Sequence, residues 1–169
     1  MAPMTAALFR SRLFEEIGSL DEWFESYLED VDFGIRCAIH DRWGVYVPTA
    51  TAYHQGSSTW GQWNKYSVRL ISRNQLLLTA KYFRGLSRWP IVAGQLLWGL
   101  VALCHGCAGA YLQGKMAGMR VARTIPQQRP ASGNNIEAFL RESEQTILDI
   151  QRQTGFDRYW RAYFWLLGP

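Results

Sequence analysis

An α/β fold that gives way to a mostly helical tail is what this sequence predicts, and three observations predict it. Apolar residues recur at helical spacing over several separate stretches, as in Val31, Ile35, Ala38 and Ile39. One stretch, VYVPTATAYH, instead gathers β-branched and aromatic residues and reads as two short strands near Val45 and Ala52, divided by Pro48. A linker by composition, TIPQQRPASGNN, then leads into a long helix-forming run. The 169 residues are 48% hydrophobic and 14% aromatic, which is enough apolar material for a packed core and excludes disorder of the whole. Three cysteines, and no basic-then-apolar leader ahead of a small-residue cleavage site, point away from a disulfide scaffold or a secreted precursor. A reducing, cytoplasmic setting is the expectation.

Element by element, ALFRSRLFEEIG is expected to form a short helix from Leu8 to Ile17, with Leu13 and Ile17 on one face and Gly18 stopping it in a left-handed conformation. After the turn and aromatic segment SLDEWFESY, the run LEDVDFGIRCAIHDRWG is the second helix, ended by Gly44. QGSSTWGQWN is a loop, and KYSVRLISRNQLLLTAKYF a long helix. From Trp89 to Gly114 there is no Asp, Glu, Lys or Arg, while Lys81, Arg84 and Arg88 precede it and Lys115, Arg120 and Arg123 follow. Its length would permit a membrane span. Gln95, His105 and the glycines dilute it, so an interfacial helix or hairpin on an anionic leaflet and an ordinary buried helix stay open beside the span. Asn134 and Glu137 cap IEAFLRESEQTILDIQRQ, and the aromatic FDRYWRAYFWLL closes the chain.

Charge is segregated along the chain. Residues 1–41 hold nine acids against three bases, residues 42–136 hold eleven bases and no acid, and residues 137–169 hold five acids against four bases. A long stretch of one sign should attract phosphates, those of a nucleotide or of an anionic lipid leaflet among them. The acidic N-terminal part concentrates carboxylates, as a proton-transfer or metal site would.

Glu29, Asp30 and Asp32 are the densest carboxylate group, and like charges so close raise the free energy unless a cation, proton or hydroxyl answers them. On a helix Asp30 and Asp32 point roughly 200° apart. Asp32 then pairs with Arg36 one turn on, while Glu29 and Asp30 sit at the positive end of the helix and could face a cleft. The same pattern also suits a solvated acidic helix start. Asp30-Val31-Asp32 matches a metal-binding Asp-x-Asp in spelling, but it lacks the aliphatic strand that should precede it. His54, with Ser57 and Ser58 at a strand end, could ligate a divalent ion or touch a phosphate, or serve only the structure. Arg69, Arg73 and Asn74 share one stripe of the following helix, where two guanidiniums one turn apart could grip a diphosphate or simply be solvated. Cys104 and Cys107 have C-x-x-C spacing without a second ligand pair, so buried thiols are expected there rather than zinc.

Taken together, ALFRSRLFEEIGSLDEWFESYLEDVDFGIRCAIHDRWGVYVPTATAYHQGSST followed by SRNQLLLTAKYF resembles the C-terminal half of the catalytic domain of family 2 glycosyltransferases, particularly the bacterial rhamnosyltransferase-like branch. The resemblance runs from about Ala6 to Phe83. It implies a partial GT-A fold, an α/β nucleotide-diphospho-sugar transferase fold without its N-terminal nucleotide-binding half. It further implies inverting transfer of a sugar from a nucleotide-diphosphate donor to a hydroxyl acceptor, in cell-surface polysaccharide synthesis, with Mg or Mn on the diphosphate. Asp30 would be the general base, Glu29 would shape the site, and His54 would lie near the metal. Arg69, Arg73, Asn74, Ser57 and Ser58 would bind substrate. Three regions follow: residues 1–83 as the acceptor-side half, 84–124 as a membrane-associating segment, and 125–169 as a helical tail. The expected partners are the nucleotide sugar, a hydroxyl acceptor such as a lipid-linked glycan, and an anionic membrane surface, but no nucleic acid. The expected location is the cytoplasm, peripheral to or inserted in the inner membrane. The alternative is a catalytically incomplete module that binds the membrane surface.

Overall fold

The computed structural model describes residues 6–54, 61, 63–84, 88–128 and 136–168, and among them there is no strand. The described residues form seven α-helices, α1 (Ser11–Ile17), α2 (Glu29–Ile39), α3 (Lys65–Tyr82), α4 (Arg88–Cys104), α5 (Ala108–Val121), α6 (Ile136–Thr154) and α7 (Arg158–Leu167), with one short 3-10 turn at Glu22–Phe24. The expected α/β sandwich of a partial GT-A fold is therefore corrected to an all-helical arrangement. Residues 42–54, which carry the strand signal near Val45 and Ala52, run as exposed coil apart from a turn in which Ala50 N donates to Val47 O. A strand exists only where a neighbour takes up its N–H and C=O groups, and no second strand lies beside this one among the described residues. Trp43, Val45, Tyr46 and Tyr53 consequently stand in solvent.

Helix ends follow local chemistry. α1 starts at Ser11, later than its apolar pattern suggests, and closes at Gly18, whose N–H returns to Phe14 O. Gly18 has φ 81° and ψ 167°, a region that only glycine occupies readily, so the stop is real but is not the left-handed helical turn the sequence suggests. α2 ends at Ile39, five residues before Gly44. Asp41 takes φ 53°, Arg42 N reaches Cys37 O and Asp41 N reaches Ala38 O, the paired bonds of a Schellman stop made without glycine. α3 opens on Asn64, whose side chain accepts from Tyr66 N at 2.7 Å. The uncharged segment after Trp89 is a helical hairpin. Gly106, at φ 70°, turns the chain between α4 and α5 while Cys107 N bonds Ala102 O.

The main core gathers Phe24, Ile35, Ile39, Leu77, Leu78, Ala80, Tyr82 and Ile125 from α2, α3 and the segments flanking them. Each large side chain so buried contributes about 1.5–3 kcal/mol. Val31 packs against its edge, so the helical face read from the sequence is the face that packs inward. α5 lies against α3 at very short range. Built Cβ atoms would come within 2.2 Å of Arg69 O at Gly114 and 2.7 Å of Arg73 O at Gly118, so this approach needs glycine at both positions. Beside it Lys115 bonds Gln75 Oε1 at 2.8 Å and Gln95 Oε1 at 2.7 Å, and burial brings its ammonium pKa down to about 8. Cys107 is buried as expected, whereas Cys104 is exposed; all three cysteines are free thiols. α7 is tied to α4 by Tyr159 Oη donating to Gly94 O and by Trp89 Nε1 donating to Leu166 O, and to α6 by Tyr163 Oη donating to Glu144.

Gly114→Val should destabilise the protein by about 3 kcal/mol or more, because the added atoms meet backbone rather than a side chain that can swing away. Gly109→Ala on the same helix, where a Cβ meets nothing within 4 Å, should change stability little. Urea unfolding midpoints of the two variants check both statements.

Candidate active site

Asp32 organises the ground beneath the site. It is fully buried on α2, and both of its oxygens are answered: Arg36 Nε donates to Oδ2 at 2.9 Å, while Lys81 Nζ and Tyr82 Oη each reach Oδ1 at 2.6 Å. Lys81 also pairs with Asp21. Burial pushes the Asp21 carboxyl up, but the bond from Lys81 and the backbone N–H of Trp23 outweigh it and leave the pKa below the usual range. The Tyr82 hydroxyl is held protonated by burial and by the neighbouring Asp32 carboxylate. Arg36 extends past Asp32 to cap α1, donating to Ile17 O at 2.7 Å and Ser19 O at 2.6 Å. The pairing of Asp32 with Arg36 expected from their spacing is therefore present.

Above this network the loop of residues 21–28 leads into Glu29 and Asp30, and its backbone is strained. Glu25, Tyr27 and Leu28 hold φ values of 59°, 66° and 68°, each costing about 1–2 kcal/mol for a residue with a Cβ. At Glu25 the chain makes a γ-turn, with Ser26 N bonded to Phe24 O at 2.6 Å. What holds it is Asn74. Its fully buried amide lies 2.7 Å from Phe24 O, 2.8 Å from Ser26 O and 2.6 Å from Tyr27 O. Arg73 donates to Trp23 O and pairs with Glu25 at 3.0 Å, and Tyr27 Oη meets Ser67 Oγ at 2.7 Å. Arg73 and Asn74, expected to bind substrate, are thus committed to the backbone and side chains of the loop that presents Glu29 and Asp30.

Glu29 and Asp30 are half-buried in the first turn of α2. Asp30 Oδ1 accepts from Val31 N at 2.8 Å, and its other oxygen has no hydrogen bond to a described residue. Glu29 Oε2 is buried and has no hydrogen-bond partner among the described residues. A buried carboxylate oxygen left open costs on the order of 1–3 kcal/mol, so it waits for a donor. Asp32 points inward and Asp30 outward, in keeping with their angular separation on the helix.

The remaining expected residues do not join this group. His54 is exposed at the end of the coil, and no hydrogen bond or ion pair connects it to Glu29 or Asp30 among the described residues. Ser57 and Ser58 lie outside the described residues. Arg69 is one turn before Arg73 and lines a cleft at the start of α3, with Lys65. Among the described residues no three His, Cys, Asp or Glu side chains come together as a metal would require. Sequence reasoning missed Asn74 as a clamp and Asp21 as the partner of Lys81. Helical periodicity places both Asn74 and Lys81 on α3, but not the loop that folds over them.

Asn74→Ala should remove the clamp, leave the three loop carbonyls without their donor and cost about 2–4 kcal/mol, read from the urea midpoint. Amide exchange in residues 22–30 should speed up more than in α5, because the loop loses its brace before the helix packing does.

Comparison with known proteins places this arrangement in a lineage. No curated protein and no solved structure matches the chain. The model of the family described as Glycosyl transferase family group 2 matches residues 3–117, which takes in the braced loop, the Glu29–Asp30 pair, α3 and nearly all of the helical hairpin. The chain belongs to glycosyl transferase family group 2.

Proposed function

We propose that the chain contributes the acceptor side of an inverting glycosyltransferase that moves a sugar from a nucleotide-diphosphate donor to a hydroxyl, with Asp30 as general base. The observation that carries the reading is the open oxygen of Asp30 at the head of α2, on a backbone strained into place and clamped by Asn74. An acceptor hydroxyl would donate to the open oxygen of Asp30. Asp30 would take its proton as the hydroxyl oxygen forms the new bond to the sugar's anomeric carbon from the face opposite the diphosphate. The bond from that carbon to the diphosphate oxygen breaks, and the nucleoside diphosphate leaves with the electron pair. A Mg or Mn ion remains part of what the resemblance implies for the diphosphate. The described residues do not build a cage for it by themselves, and no step here passes through one.

The second part of the reading is contact with an anionic membrane surface, at the cytoplasmic face and beside a lipid-linked glycan acceptor in polysaccharide synthesis. Trp89, Val92, Leu96, Leu100 and Leu103 form one exposed stripe along α4, and Leu112, Met116 and Met119 form another on α5. No helix among the described residues is long and apolar enough to cross a membrane, so the contact proposed is interfacial rather than spanning. Fewer bases serve it than the sequence offers, since Lys81 is buried against Asp21 and Asp32 and Lys115 is turned onto Gln75 and Gln95. Trp98 faces inward, packed against Trp63 with ring centres 5.5 Å apart. Among the described side chains Arg84, Arg120 and Arg123 remain, each contributing about 1 kcal/mol near an anionic surface.

With radiolabelled nucleotide sugars and the complete enzyme, Asp30→Asn should lower transfer by about 10²–10⁴-fold while donor binding persists. Undiminished transfer would sink the assignment of the base. Sedimentation with phosphatidylglycerol vesicles should show association that falls at high salt and is lost in Leu96→Glu/Leu100→Glu. Equal binding of that variant would remove the apolar stripe from the reading.

A further inference from the structure

The basic residues of the acid-free stretch separate into two sets in space. Arg42, Arg73 and Lys81 are paired with Glu16, Glu25, Asp21 and Asp32, carboxylates of the N-terminal region. Lys65 and Arg69 have no ion pair among the described residues. They are exposed, one turn apart on α3, and both line a cleft of about 320 Å³ between the start of α3 and the start of α5. No carboxylate among the described residues lines the cleft, and Gly106, Gly109 and Ala110 form part of its wall. At Gly106 and Gly109 a Cβ would meet nothing within 4 Å, so the absence of side chains there leaves open space rather than close packing. The Arg69 guanidinium stands 5.8 Å from the Tyr66 ring centre, a placement that limits its motion while leaving its edge donors available. Gln113 lines the cleft as well, and α5 has Cys107 as its N-cap residue with no side-chain cap, so its first-turn N–H groups add positive potential at the same end.

We infer that this cleft binds a phosphate group. Two cations of which one is a forked guanidinium, backbone approach through glycine, and no competing carboxylate suit a tetrahedral dianion, and the volume admits a phosphate or diphosphate with its esterified end. The inference does not rest on glycosyl transfer by Asp30, which lies with the loop braced by the next turn of α3. The phosphate could arrive on a soluble compound or on a lipid headgroup. Exposed Leu103 and Leu112 flank the α4–α5 turn next to the cleft, where an attached alkyl chain would lie.

The test uses the full chain with inorganic phosphate and pyrophosphate by calorimetry, and with phosphatidylcholine vesicles carrying phosphatidic acid by sedimentation. Lys65→Gln/Arg69→Gln should weaken binding of at least one probe by about tenfold or more, while Arg158→Gln/Arg161→Gln, which removes equal charge from exposed positions on α7, should leave it within about twofold. Gly109→Val fills the cleft without changing charge and should reproduce the loss, with circular dichroism confirming that each variant is folded. Binding of the free anions assigns the cleft to soluble phosphates, and binding of the vesicles alone assigns it to a lipid phosphate. The inference is overturned if the wild-type chain binds no probe, if the cleft variants bind as it does, or if the two double variants weaken binding alike, since the last result means a diffuse basic field.

Discussion

The buried carboxylate of Asp32 is the point on which the rest of this structure hangs. A charge with no solvent exposure would be strongly destabilising alone, and here it is met by Arg36, Lys81 and Tyr82, residues drawn from two helices. Through Arg36 the same network reaches the carbonyls that end α1, and through Lys81 it reaches Asp21 at the start of the braced loop. Backbone joins in as well, since Gln128 N donates to Lys81 O and so ties the chain after α5 to α3. Removing any one partner leaves a buried charge partly unanswered, which costs about 3–5 kcal/mol, so α1, α2, α3 and the loop hold their positions together.

On that base the loop of residues 21–28 can carry strain. Left-handed backbone at Glu25, Tyr27 and Leu28 would relax in a free peptide, but Asn74 gathers its carbonyls and Phe24 is fully buried in the core. The result is a fixed exit direction into α2, with Asp32 turned inward and Glu29 and Asp30 turned to the partly open side. Half-exposed acids presented by a rigid support are what proton transfer needs, because reach and orientation decide its rate before acidity does.

The opposite side of α3 obeys a different constraint. Gly114 and Gly118 let α5 approach α3 backbone to backbone, while among the described residues the outer faces of α4 and α5 stay exposed. The same approach brings the start of α5 to Lys65 and Arg69, which opens the basic cleft at that end.

The sequence by itself determined the helices at α1, α2, α3 and α6, the inward face of Val31, Ile35 and Ile39, the Asp32–Arg36 pair and the family, because each depends on residues within a turn or two of one another or on motif order. It also marked Glu29 and Asp30. It misjudged VYVPTATAYH, whose strand propensity is real but requires a neighbouring strand that local sequence cannot supply. It read the acids of residues 1–41 and the bases of residues 42–136 as separate fields, whereas Glu16, Glu25, Asp21 and Asp32 close onto Arg42, Arg73 and Lys81 from across the chain. Only the tertiary structure decided that Asn74 is a clamp, that Lys81 and Lys115 are withdrawn from the surface, and that Lys65 and Arg69 are left facing a cleft. Pairing between residues about 40 to 60 positions apart is set by which helices pack, and periodicity along one helix carries no record of its neighbour.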